Sequence, residues 1–271
     1  MTPVRPEFTP DSSLSRAEME QLQRDLAAEA VFEDDLGFDP IAISATASDS
    51  TQTTLGGSVS ENESAAPVVA GVDQAFAADG QQAVSAIVVS RGGEVIERVH
   101  AVEPTEIPYI PGLLSFREGG AILSAFEELT ADPDLAVVDG SGRIHFRQAG
   151  IATHIGVMLD LPAIGVAKNL LCGTPRESLD GYLREGERVA IEADDGVTAP
   201  AGTVIGHAYQ SRQYDTPEKR HVNPLYVSPG HRVSAATATD IVGLLCAGYK
   251  LPEPTRLADQ FADEVKAEVS D

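Results

Sequence analysis

Runs of apolar residues at strand spacing open the ordered part of the chain. Residues 68–76 (VVAGVDQAF), 83–90 and 94–102 are rich in β-branched positions and read as strands, with Gly92 and Gly93 forming a hairpin turn between the last two. Helical spacing takes over across residues 116–130. A continuous apolar run, residues 135–138, then ends on Asp139, Gly140 and Gly142, the pattern of a buried strand closed by a turn. Ile151, Ile155, Met158 and Leu159 restore a helical stripe over residues 148–161. Pro162 stops it, and residues 163–166 form a second buried strand with Lys168 just past its end.

The predicted order is therefore β-β-β-α-β-α-β, three antiparallel strands and then a β-α-β unit with a right-handed crossover. This is an α/β architecture, a mixed central sheet flanked by helices, and it resembles the ribonuclease H-like fold. Further short strands are predicted at residues 188–192, 204–211 and 225–227, with a polar connection over 213–223. A helix follows at 235–247 and a terminal turn plus helix at 252–265. On the N-terminal side, residues 1–13 are expected to fray. A helix starts after Ser15, where Ser15 and Glu18 fit a capping box and Met19, Leu22 and Leu26 share a stripe. Residues 36–66 lack periodicity and read as a disordered linker. The expected division is thus an acidic N-terminal helix plus linker, residues 1–66, and a catalytic domain, residues 67–271.

Composition adds one strong constraint. The formal net charge is −23, with four lysines against fifteen arginines. Thirteen of the acidic residues fall within the first 66 positions, against three arginines. A nucleic-acid binder usually carries a basic face. A partner other than nucleic acid is one explanation; acidity spread over most of the chain is better explained by adaptation to molar salt, since net charge speaks to solubility rather than fold. No run reaches the roughly 18–20 apolar residues of a membrane span, no signal peptide is evident, and two cysteines make no disulfide framework. A cytoplasmic, monomeric protein with no membrane partner is expected.

The buried strand end is the first candidate for chemistry. Asp139 and Lys168 sit at adjacent strand ends, the edge where open α/β sheets gather ligands. Asp-Gly is also a common turn dipeptide, so Asp139 alone decides nothing. Asp73 lies within an apolar strand, where a carboxylate is costly unless paired or bound to metal; a strand-end Asp facing solvent is the plainer alternative. Glu118 opens a helix, where it can serve merely as a dipole partner. Together the three carboxylates form a possible hard-oxygen set for Mg²⁺, with Mn²⁺ as a substitute. Pro108, Tyr109, Ile110 and Pro111 make a stiff apolar turn, either a packed loop or a wedge that unstacks bases. Gly112, Gly140 and Gly150 would let backbone approach a flipped base.

Several segments carry a resemblance to one family: GVDQAF, PYIPGLLSFREG, DGSGRIHFRQAGIATHIGVMLDLPAIGVAK, VSPGHRVS and LPEPTRLAD. In this order and spacing, over residues 68–262, they resemble endonuclease V, the nuclease of deaminated adenine. The resemblance implies Asp73, Glu118 and Asp139 as metal-binding carboxylates and Tyr109 as part of a strand-separating wedge. It implies His145, Lys168 and His231 around the scissile phosphate, with Arg117 in support. Gly112, Leu114, Gly140, Gly150, Ile151 and Leu171 would line the base pocket. Each lone histidine could equally be structural, and His154, on the crossover helix, reads as structural. Where the family has His-Pro-Arg, this chain has His145, Phe146 and Arg147.

The implied activity is metal-dependent cleavage of inosine-containing DNA at the second phosphodiester bond 3′ to the lesion, leaving 3′-hydroxyl and 5′-phosphate ends. Two alternatives stay open at this point. One is an inosine-specific ribonuclease, which a 2′-hydroxyl contact would separate. The other is a non-catalytic nucleic-acid-binding module on the same fold, against which the intact carboxylates and Lys168 speak.

Overall fold

The computed structural model describes residues 1–46, 66–214, 216, 218 and 221–270. Among the described residues its centre is a nine-stranded mixed sheet. Strands β1 (Val68–Ala77), β2 (Gln82–Arg91) and β3 (Glu94–Pro104) form the antiparallel meander read from the sequence, and Gly92 and Gly93 take φ of 58° and 83° at its turn. Helix α2 (Leu114–Glu127) leads to β4 (Leu135–Asp139), which lies parallel to β1; helix α3 (Ile151–Leu159) crosses to β5 (Ala163–Ala167), parallel to β4. The β-β-β-α-β-α-β order holds.

The second half departs from expectation in useful ways. The predicted strand at 225–227 runs on through Pro229 and Gly230 as β9 (Leu225–His231), antiparallel to β5. The register shifts beside Ala163 and Ile164, so the proline sits at a bulge, the place where a sheet tolerates it. A two-residue strand, β6 (Thr174–Pro175), precedes β7 (Arg188–Glu192) and β8 (Val204–Tyr209). The strands stand in the order β3-β2-β1-β4-β5-β9-β8-β7-β6, and helices α4 (Ala235–Leu245) and α5 (Glu253–Ser270) follow them in the chain.

Side-chain alternation splits the core into two layers. Ala70, Val72, Ala136 and Val138 face α2 and α3, joined by Ile122, Phe126, Ile155 and Met158. Val69, Val137, Ile164 and Val166 face the opposite side, against Ile241, Val242 and Leu245 of α4. Helix α5 packs on β1 so closely that a Cβ at Gly71 would strike the Pro254 backbone and lie 2.6 Å from the Pro254 Cβ.

The N-terminal residues are part of this core, so the expected division at residue 66 does not describe the packing. Helix α1 (Arg16–Glu29) has the predicted capping box, and its Leu26 is fully buried. Burying one such side chain stabilises by roughly 1.5–3 kcal/mol. Phe8 joins the same cluster, and Val4 N–H donates to the Met158 carbonyl at 2.8 Å, tying residues expected to fray. Residues 36–46 were expected to be linker. Instead Leu36, Phe38 and Ile43 pack on the cluster under α4, while Asp34 accepts from Ser234 N–H at 2.7 Å at the start of that helix. Residues 47–65, the rest of the expected linker, lie outside the described residues. Among the described residues no helix is long and apolar enough to cross a membrane.

Candidate active site

Register brings the first two carboxylates together. Val72 pairs with Val138 across the parallel β1 and β4, so Asp73 and Asp139 follow side by side on the face covered by α5. Asp139 in turn pairs with Val166 of β5, which puts Lys168 two residues further along the same edge. Its ammonium Nζ lies 3.0 Å from Asp139 Oδ2.

A third carboxylate, absent from the sequence reading, comes from α5. Asp259 Oδ1 is 3.8 Å from Lys168 Nζ, and Asp73, Asp139 and Asp259 each offer an oxygen within 4.8 Å of the others. Nothing in its local sequence sets Asp259 apart from the acidic surface of its helix. Its signal was positional, the last residue of the LPEPTRLAD segment. Glu118 belongs to α2, in the layer on the other face of the sheet, and is 4% exposed. It stands outside the tight cluster but within the electrostatic reach of Asp139.

The electrostatics report crowding. Burial, reinforced by the Asp139 charge, pushes Asp73 up to about 8. Burial also pushes Glu118 up to about 7, against the pull of the Arg117 guanidinium and with the help of Asp139. Lys168 is held above its ordinary value: burial works the other way, but Asp139, Asp73 and Asp259 outweigh it. One ammonium thus faces several carboxylates. Mutually repelling oxygen donors of this kind, one of them buried, fit a divalent cation, which removes their repulsion. Arg117 lies beside Glu118 with its guanidinium 4.4 Å over the Phe76 ring.

A cavity of about 530 Å³ opens next to the cluster. Its walls include Gly112, Leu114, Gly140, Gly150, Ile151 and Leu171, with Asp139 and Lys168 at one end. Gly140 has φ of 147°, and a Cβ there would strike the Ile151 side chain, so only glycine keeps this wall open. At the rim, Tyr109 is 64% exposed between exposed Pro108 and Pro111, while Ile110 packs toward Leu113 and Phe116.

The two histidines expected at the phosphate fall in different places. His145 lines the cavity, yet it is buried with both nitrogens engaged. Nε2 lies 3.1 Å from the Gly112 carbonyl, and Nδ1 accepts from Arg147 N–H and Ala149 N–H. Burial lowers its pKa to about 3, so it is a neutral structural donor. His231 pairs with Ala163, at the start of β5, whereas Lys168 follows its end. Because β9 runs antiparallel to β5, its last residue falls at the opposite edge of the sheet. There His231 Nδ1 accepts from Val31 N–H and Nε2 faces Asp160 at 3.3 Å. His154 is fully buried, with Nε2 2.7 Å from the Phe8 carbonyl, as its structural reading expected.

Comparison with known proteins places this geometry in context. The profile of the Endonuclease V family matches residues 53–260. An endonuclease V from Haloarcula marismortui is 68% identical over 270 residues, covering 98% of both chains. The crystal structure of human ENDOV superposes with a TM-score of 0.73 at 28% identity, over 95% of this chain and all of that one. A structure of Ciona intestinalis endonuclease V, 22% identical, shares the fold with a TM-score of 0.67 over 93% of this chain and 98% of that one. It holds a 24mer DNA containing an inosine followed by a ribo-adenosine.

Proposed function

This chain belongs to the endonuclease V family, nucleases acting on phosphodiester bonds, and from that premise we propose that it is a DNA-repair endonuclease of deoxyinosine. It cleaves the second phosphodiester bond 3′ to the lesion and leaves 3′-hydroxyl and 5′-phosphate ends. The observation that carries the reading is the cluster of Asp73, Asp139, Asp259 and Lys168 at one end of a base-sized cavity whose rim is an exposed tyrosine between two prolines.

Tyr109 stands where it can fill the gap left by an extruded nucleotide, since its neighbouring prolines fix the backbone behind it. Gly140 and Gly150 admit a planar base against backbone, and Leu114, Ile151 and Leu171 give it apolar walls. Asp73, Asp139 and Asp259 would hold Mg²⁺, with Glu118 close behind and Mn²⁺ as a substitute. A bound divalent ion supplies Lewis acidity at the phosphate and a more acidic water. Lys168 offsets negative charge on the phosphate as the bond breaks. Arg117, stacked over Phe76, supplies a positive charge within electrostatic reach of Glu118.

The test is cleavage of a labelled strand carrying one deoxyinosine, with Mg²⁺ and KCl up to molar levels. Wild type is run beside Asp139→Ala and Asp259→Asn, and an inosine-containing RNA serves as second substrate. The expected result is a single nick one nucleotide beyond the lesion, lost in Asp139→Ala and strongly reduced in Asp259→Asn, with lesion binding kept. Cleavage of the RNA alone would move the function to RNA turnover. Binding without cleavage under every condition would return the protein to the binding-module alternative.

A further inference from the structure

We propose that Gln23, on helix α1, is a positioning residue for lesion recognition: its amide ties together the two walls of the cavity and so sets the pocket's width and the stance of the wedge. The proposal rests on the reading of the cavity as a base pocket.

Gln23 is 1% exposed and reaches the cavity from the N-terminal helix. Its Nε2 donates to the Gly112 carbonyl at 3.0 Å and to the Ala149 carbonyl at 3.4 Å. Its Oε1 accepts from Arg147 Nε at 2.7 Å. Gly112 follows the wedge directly and begins one wall; Ala149 precedes Gly150 and Ile151 of the other. A single side chain therefore spans both. Both amide hydrogens are committed to backbone, so Gln23 acts through the walls and does not read the base itself.

The Gly112 carbonyl is the shared anchor. Besides Gln23 it receives Arg147 Nη2 at 3.0 Å and His145 Nε2 at 3.1 Å, three donors on one oxygen. His145 is fixed in the tautomer that donates from Nε2, because its Nδ1 accepts two backbone N–H groups. Held in this way, the Gly112 peptide keeps φ of 81°, the reversal that sends Pro108, Tyr109 and Pro111 outward and starts α2 behind them. Arg147 is itself steadied by Glu20, 3.7 Å away and also on α1. The carboxylate cluster takes no part in this network, since it is held by β1, β4 and α5. Loss of Gln23 should therefore separate recognition from chemistry.

The experiment measures cleavage of deoxyinosine DNA by full-length wild type, Gln23→Leu, Gln23→Glu, Tyr109→Ala and the Gln23→Leu/Tyr109→Ala double variant, each with a melting curve. Gln23→Glu keeps an acceptor for Arg147 but replaces the donor facing the two carbonyls, so it remains informative if Gln23→Leu folds poorly. The expected result is a KM raised about tenfold or more, with kcat within about twofold of wild type. Discrimination against undamaged DNA should also fall, and the loss in the double variant should be smaller than the product of the single losses. An unchanged KM in folded Gln23 variants, an equal loss in kcat, or effects that multiply with Tyr109→Ala would each overturn the proposal. A wild type that does not cleave deoxyinosine DNA would overturn the functional reading, and this inference with it.

Discussion

Replacing Gly71 with alanine tests whether the packing of α5 on β1 delivers the third carboxylate. Gly71 lies two residues before Asp73, on the same face of β1. An added Cβ would fall on the carbonyl group of Pro254, in the first turn of α5, and 2.6 Å from that residue's Cβ. Ordinary carbon–carbon contact needs about 3.5 Å, so the helix start must retreat by about 1–1.5 Å. Backbone is not free to turn aside as a side-chain tip would be. Overpacking of this kind costs about 1–3 kcal/mol, which for a chain of this size lowers Tm by about 2–6 °C. Asp259 rides on the same helix, so it withdraws from Asp73 and Asp139. Loosening one ligand by such a shift weakens a metal site by about tenfold to a hundredfold. Calorimetric titration with Mn²⁺, together with melting curves, reads both effects. Gly120→Ala is the control, because a Cβ there meets nothing within 4 Å and alanine favours its helix. Wild-type Tm and wild-type metal affinity in Gly71→Ala would refute the argument that this contact positions Asp259.

Two further outcomes are expected. Asp73 binds its proton more tightly when folded, at about 8, than the ordinary 3.8 of the unfolded chain. Between those values the native state holds a proton that the unfolded state has released, so in chelator Tm should fall as pH rises from about 5 to about 8. The fall should be shallower in Asp73→Asn, and equal slopes would remove Asp73 as its source. His231→Ala should cost about 1–3 kcal/mol, because it strips the acceptor from Val31 N–H and the contact with Asp160, yet leave kcat unchanged. A collapse of turnover in a folded His231→Ala would restore the histidine to the site.

The legible part of the molecule was its local periodicity. Strands β1 to β5 and the helices between them each carry enough apolar pattern to be recognised, and parallel pairing then brings Asp73, Asp139 and Lys168 to one edge. What failed was information held in pairing and packing. His231 was placed at the phosphate by resemblance alone, whereas a bulge carries β9 past Pro229 and Gly230 and sets the histidine at the far edge. Asp259 was missed because its helix reads as an acidic solvated face. Its role depends on Gly71, far away in sequence, being small enough to let that helix in. Residues 36–46 looked like linker because their apolar residues follow no period, although Leu36, Phe38 and Ile43 each find a site against the core.

The distribution of the charged cluster along the chain also bears on when the protein can act. Asp259 is the last of these groups in chain order, following Lys168 by about a third of the sequence. At ordinary rates of translation a nascent chain carries Asp73, Glu118, Asp139 and Lys168 for roughly ten seconds before Asp259 is made. Throughout that interval the helix that completes the cluster and covers its face of β1 is not yet made. Drawing one carboxylate from α5 makes assembly of the cluster wait until that helix has been made and has docked on β1.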